Sequence, residues 1–257
     1  MYIILNFLFA IRKSVLKSFF SKFMYILEYK KQSQLQFNTF HFLTKFWISE
    51  IIVKKNISEI ENKKKFYKNK YTFQDGDWFS HNIPVWNIVI KREMSTNHKL
   101  DYLEIGSYEG RSVVHICEEF KLFNITVVDP YVEYKELNDY VKKQDMEQTY
   151  NILKKNLNKF INRTEILRLT SDKFFEKNKK EFDIIYIDGS HHSKDVKKDF
   201  ENSIKIIKKN GLIILDDFTW NHYKNINENP VGGIFPVLNN NPQLKIVSAS
   251  NQLIVKN

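Results

Sequence analysis

The chain has 257 residues, of which 42% are hydrophobic and 15% aromatic, with a single cysteine and a formal charge of +10. That composition excludes a disordered chain, a disulfide framework and a cysteine-rich zinc site, and the length suits one α/β domain with an extension. The positive charge raises nucleic acid or an anionic membrane as partners, but the lysines are spread over many segments, so nucleic acid is not the expected partner.

Residues 2–11 are almost wholly apolar, and Arg12, Lys13, Lys17 and Lys22 then alternate with Val15, Leu16, Phe19, Phe20 and Phe23 at helical spacing. The apolar run is too short to span a bilayer, and a secretory signal would carry its positive charges before that run. Two readings of residues 1–31 stay open: a basic amphipathic helix in peripheral membrane contact or serving as a targeting segment, or a helix packed on protein. Residues 32–70 read as further helix, with Phe37, Phe40, Phe42, Leu43, Phe46 and Trp47 as a packing stripe. The lysine run at 63–65, 68 and 70 marks the boundary between a basic helical extension, 1–70, and a core domain, 71–257. Asp75 and Gly76 signal a turn, and Asn82 with Pro84 signals a helix start. Trp78, His81 and Trp86 are expected either to cap the sheet edge or to flank a cofactor or substrate.

From Leu100 onward the pattern alternates between apolar runs and helical spacing. Strands are expected over 100–106, 124–129, 164–170, 182–188 and 212–217, with helices over 111–120, 145–160, 171–180 and 193–209. Two tail strands, 244–250 and 253–256, are expected to meet at a turn around Ala249–Asn251. Continuous apolar strands separated by helices imply an α/β fold with a doubly wound, mostly parallel sheet, closed by a C-terminal antiparallel hairpin.

In such a sheet, ligands sit at the carboxyl ends of the strands. Glu104, Gly106, Asp129, Ser171, Asp172, Asp188, Asp216 and Asp217 all fall there. The turn after the first strand reads acid-x-Gly-x-x-x-Gly, without the middle glycine that brings backbone up to a pyrophosphate. It suits S-adenosylmethionine, which has a carboxylate, an ammonium and a ribose diol to place. Gly106, Ser107, Tyr108 and Gly110 would approach the amino-acid part, with Glu104 near the ammonium, Asp129 accepting the ribose hydroxyls and Asp172 facing the adenine amine. A second constellation joins Asp188, His191 and His192 to Asp216 and Asp217. Three converging carboxylates would raise one another's pKa unless a divalent cation such as Mg2+ neutralised them, and His191 or His192 is a candidate general base.

The stretches LDYLEIGSYEGRS, VVDPY, FDIIYIDGSHHSKDV and KKNGLIILDDF resemble class I S-adenosylmethionine-dependent methyltransferases. More narrowly they are similar to the branch with DGSH and DD motifs, the macrocin-type O-methyltransferases and cephalosporin hydroxylase-like proteins. The resemblance covers residues 73–257 and implies a Rossmann-like seven-stranded fold and O-methylation of a small, sugar-like acceptor. It also implies a cation held by Asp188, Asp216 and Asp217, and a cytoplasmic location, with peripheral membrane contact through residues 1–31 as the variant. The competing expectations are a non-catalytic membrane-associated or protein-binding module that kept the fold, and an RNA methyltransferase. The acceptor pocket is expected between residues 130–145, 219–230 and the N-terminal helices.

Overall fold

The computed structural model describes residues 13–33, 39–74, 76–94, 97–133 and 145–257. The apolar run 2–11, Arg12, Phe37, the Asp75 half of the expected turn and most of the 130–145 loop lie outside the described residues. Three helices come first: α1 (Lys13–Ser33), α2 (Thr39–Lys55) and α3 (Ile57–Lys70). A short 3-10 turn at Ser80–Asn82 leads into α4 (Ile83–Glu93), which has Pro84 in its first turn as the Asn-Pro signal implied. Strands and helices then alternate: β1 (Leu100–Ile105), α5 (Arg111–Glu119), β2 (Phe123–Val128), α6 (Met146–Leu157), β3 (Thr164–Leu167), α7 (Ser171–Lys177), β4 (Phe182–Ile187), α8 (Ser193–Ile206) and β5 (Ile207–Leu215). The chain finishes with α9 (Pro230–Asn240), β6 (Lys245–Ala249) and β7 (Leu253–Lys256). No helix among the described residues is long and apolar enough to cross a membrane.

The described strands form a seven-stranded sheet in the order β3-β2-β1-β4-β5-β7-β6. The first five are parallel, and β7 runs antiparallel to both β5 and β6. The order reverses between β1 and β4, so the crevice for a ligand lies beyond their carboxyl ends. Alternate residues feed two cores. Leu103, Ile105, Ile185, Ile187, Ile213 and Leu215 face one layer, which also takes Tyr25, Ile26 and Tyr29 of α1, Phe42 and Phe46 of α2, and Phe235 of α9. Tyr102, Ile125, Val127, Ile184, Tyr186 and Ile214 face the other, with Tyr67 of α3, Trp86 of α4 and Val113 of α5. The described N-terminal helices therefore share side chains with the cores on both faces of the sheet.

Two elements differ from the sequence expectation. β5 begins at Ile207, where helix was expected to run on to Lys209: Ile207 pairs with Phe182, the pairing with β4 shifts register before Leu212, and the left-handed Asn210 (φ 64°) lies within that stretch. The helix α9 was not anticipated, because Gly232, Gly233 and Pro236 all disfavour a helix interior. Packing overrides that preference. A Cβ at Gly233 would lie 2.2 Å from the Ser193 carbonyl oxygen, so glycine here lets α9 seat directly on α8.

Candidate active site

The turn between β1 and α5 is built by its glycines and by Asp129. Gly106 and Gly110 are left-handed, with φ 79° and 78°. A Cβ on Gly106 would come within 2.0 Å of the Asp188 carbonyl oxygen, so only glycine allows this turn to lie against the end of β4. Asp129 ends β2 and reaches across to the turn. Its Oδ2 accepts from the Ser107 and Tyr108 N–H groups at 3.0 and 3.1 Å, and its Oδ1 from the Tyr131 N–H at 2.9 Å. Burial raises the Asp129 carboxyl above its ordinary value, while those three backbone donors pull the other way.

Glu104 is fully buried beneath the turn. Tyr102 donates to its Oε2 at 2.5 Å and Ser112 to its Oε1 at 2.6 Å. Both partners are hydroxyls, and burial pushes this carboxyl up to about 8. The buried Ser107 hydroxyl of the turn lies close by and, like those of Tyr102 and Ser112, works against that rise. A buried acid answered only by hydroxyls beneath a left-handed turn is a fitting cradle for an ammonium. The Trp78 ring lies 5.7 Å from that of Tyr108, against the turn rather than over the sheet edge. Asp172 does not join this group among the described contacts: it is half-exposed in the first turn of α7 and pairs with Lys198 at 2.6 Å.

The acidic rim begins where the turn ends. The Tyr186 hydroxyl on β4 bridges Asp188 Oδ2, at 2.9 Å, and Asp216 Oδ2. Gln252, between β6 and β7, donates to the same Asp216 oxygen at 3.0 Å and accepts from the Trp86 indole at 2.6 Å. Burial, with Asp217 next in line, pushes Asp216 up to about 6; burial and both neighbouring carboxylates hold Asp188 well above its ordinary range. Asp217, left-handed at φ 48°, turns the other way, and its Oδ2 lies 2.5 Å from His191 Nε2.

The expected cation set of Asp188, Asp216 and Asp217 is therefore not the set that converges. Among the described residues, Asp188, His191 and Asp217 each offer a ligand atom, all within 4.8 Å of one another. Asp216 is turned inward because Tyr186 and Gln252 hold it. The two histidines also separate. His192 caps α8, accepting from the Lys194 N–H at 3.4 Å, and its ring meets Tyr223 at 5.4 Å, while His191 alone faces the acids. The loop beyond Asp217 adds Trp220, whose ring lies 4.9 Å from that of His191.

Tyr186, Gln252, Ser112 and Trp220 escaped the sequence reading. Tyr186 carried a signal, since it lies two residues before Asp188 on the same strand and so on the same face. Gln252 carried none, because its role depends on an antiparallel strand brought back beside β5.

Residues 103–218 match a family model described as a methyltransferase domain. Those residues are similar to the methyltransferase-domain family. The matched span runs from the middle of β1 to Phe218, and so contains the turn, Asp129, Asp188, His191 and the Asp216–Asp217 pair. An uncharacterized protein of Acanthamoeba polyphaga mimivirus is 30% identical over 128 residues, 46% of this chain; the match spans 52% of the relative's length. An O-methyltransferase from Bacillus cereus, in complex with SAH, matches with a TM-score of 0.51 at 14% identity, over 83% of this chain and 99% of that one. The MycE methyltransferase of the mycinamycin biosynthetic pathway, in complex with Mg and SAH, matches with a TM-score of 0.51 at 16% identity, over 77% of this chain and 54% of that one. The chain thus has the Rossmann-like fold of these methyltransferases.

Proposed function

We propose that this chain transfers a methyl group from S-adenosylmethionine to a hydroxyl of a small, polyhydroxylated, sugar-like acceptor. The observation that carries the reading is the contact between the two halves of the site. Gly106 of the turn lies against the Asp188 backbone so closely that a Cβ there would fall 2.0 Å from the Asp188 carbonyl oxygen. A donor in the turn and an acceptor at the rim would be neighbours, as methyl transfer requires.

The residues divide by role. Gly106, Ser107, Tyr108 and Gly110 would take the amino-acid part of the cofactor, with Glu104 answering its ammonium. Asp129 already spends three acceptor positions on the chain, and a carboxylate has about four, so a ribose hydroxyl fits its remaining capacity. Asp172 is the weakest member of the set, since it faces Lys198 in the present geometry. When bound, S-adenosylmethionine supplies an electrophilic methyl on a sulfonium.

His191 is the group that would take the proton from the acceptor hydroxyl. With Nε2 held 2.5 Å from Asp217, a neutral imidazole has its basic lone pair on Nδ1, and Asp217 stabilises the imidazolium once the proton arrives. His192 is left as a helix cap. Where a divalent cation is bound instead, Asp188, His191 and Asp217 would be its ligands, and the cation rather than the imidazole would lower the pKa of the acceptor hydroxyl. MycE, crystallised with Mg and SAH, supports that reading by its name alone.

Thermal-shift screening of monosaccharides, glycosides and phenols, with S-adenosylmethionine and Mg2+ present, tests the reading, followed by detection of the methylated product. Stabilisation by the cofactor and by hydroxylated ligands is expected. No response to the cofactor, or methylation confined to an RNA substrate, would overturn it.

A further inference from the structure

The N-terminal helices lie outside the matched span 103–218, yet α1 and α2 reach the loop that carries Asp217. Within the loop, Asp217 adopts a left-handed conformation (φ 48°), and the Phe218 N–H donates to the Asn251 carbonyl of the β6–β7 turn at 2.7 Å. Its neighbour Phe218 is fully buried, with its ring 5.5 Å from Phe42 of α2 and 5.5 Å from Phe235 of α9. Phe235 is covered in turn by Tyr29 of α1, stacked at 5.3 Å and 16°. Two residues further on, the Trp220 carbonyl accepts from the hydroxyl of Tyr25 of α1 at 3.1 Å, while the Trp220 N–H returns to the Asp217 carbonyl at 2.8 Å.

These contacts converge on one side chain. His191 is held by Asp217 through Nε2 and lies against the Trp220 ring at 4.9 Å. The His222 ring lies 5.0 Å from Trp220 at 21°, which further limits where the indole can sit. Both groups that locate His191 therefore belong to one short loop, and the points where helices from outside the matched span grip that loop are Phe218 and Trp220.

We propose that α1 and α2 brace this loop, with Tyr25 and Phe42 as positioning residues that fix Asp217 and Trp220 and through them the His191 imidazole. This rests on the methyltransferase reading for the role of His191, though not for the brace itself. It assigns to the extension a task that neither membrane contact nor simple core packing would require, because the Tyr25 hydroxyl bonds to loop backbone and not to another helix. Ile26 and Tyr29 keep α1 docked without that hydroxyl, so the bond can be removed while the helix stays in place.

The test compares the full chain with Tyr25→Phe and, as a control on the same helix, Lys22→Gln, which breaks the Lys22–Glu50 ion pair and leaves the Tyr25–Trp220 hydrogen bond in place. Four quantities are read: the melting temperature, affinity for S-adenosylhomocysteine, affinity for Mn2+ alone, and hydrogen exchange at the Phe218 and Trp220 amides. Losing one neutral hydrogen bond should raise exchange at these amides about 3- to 10-fold and weaken Mn2+ binding by a similar factor. Affinity for S-adenosylhomocysteine should stay within about twofold, since one such bond on a different loop does not reach the turn. Lys22→Gln should move neither loop exchange nor Mn2+ affinity. The proposal is overturned if Tyr25→Phe leaves loop exchange at the wild-type value, or if Lys22→Gln reproduces the change. If the wild-type chain binds no S-adenosylhomocysteine, the methyltransferase reading fails, and the exchange comparison still decides whether the brace exists.

Discussion

Replacing Glu104 by glutamine removes the least comfortable charge in the turn while keeping its shape. The carboxyl is fully buried, is answered by hydroxyls such as those of Tyr102 and Ser112, and has its pKa carried from an ordinary 4.5 to about 8. Between those values the folded chain holds a proton that the unfolded chain has lost, so stability falls as pH rises from 4.5 to about 8 and levels off beyond. At about 1.4 kcal/mol per pH unit the full interval corresponds to roughly 5 kcal/mol, a large part of an ordinary folding free energy. Glutamine has no proton to lose, and the Ser112 hydroxyl can turn to accept from its amide. Urea unfolding of both proteins at pH 5 and pH 9, without cofactor, isolates the term. The wild type should lose about 3–5 kcal/mol more than Glu104→Gln over that range. Equal losses would show that the Glu104 site tolerates charge and would refute the reasoning. The same substitution should weaken S-adenosylhomocysteine binding by about tenfold or more at pH 9, where the Glu104 carboxyl is ionised and the ligand's ammonium loses a charged partner.

Other perturbations separate the parts of the site. Gly106→Ala places a Cβ against the Asp188 carbonyl oxygen at φ 79°, and calorimetric titration should find cofactor binding abolished. Tyr186→Phe takes the shared donor from Asp188 and Asp216; destabilisation of about 1–3 kcal/mol should grow as pH rises through about 6, where Asp216 ionises, and urea melts across pH 5 to 8 would follow it. His191→Ala should abolish Mn2+ binding detected by electron paramagnetic resonance. His192→Ala should cost about 1 kcal/mol of stability as a lost cap and leave Mn2+ affinity unchanged.

The sheet was legible because parallel strands buried on both faces read as unbroken apolar runs, and 184–187 and 212–215 could be little else. The turn was legible because Glu104, Gly106 and Gly110 must be those residue types at that spacing. The split between Asp216 and Asp217 was not. Neighbouring acids look equivalent in a sequence, and only Tyr186 below and Gln252 across the hairpin turn one inward. The split between His191 and His192 was hidden for the same reason, since capping depends on where α8 begins. The α9 helix was masked by its own glycines, which serve contact with α8 rather than flexibility. The N-terminal aromatics announced packing, but not that their partner would be the loop carrying Asp217.

The most direct test of the central claim is equilibrium titration of the wild-type chain, Asp129→Ala and Gly106→Ala with S-adenosylhomocysteine, with circular dichroism confirming that each is folded. The account predicts saturable one-to-one binding by the wild type, sharply weakened without the Asp129 carboxylate and lost in Gly106→Ala. Absence of binding by the wild type, or undiminished affinity in Asp129→Ala, would contradict it.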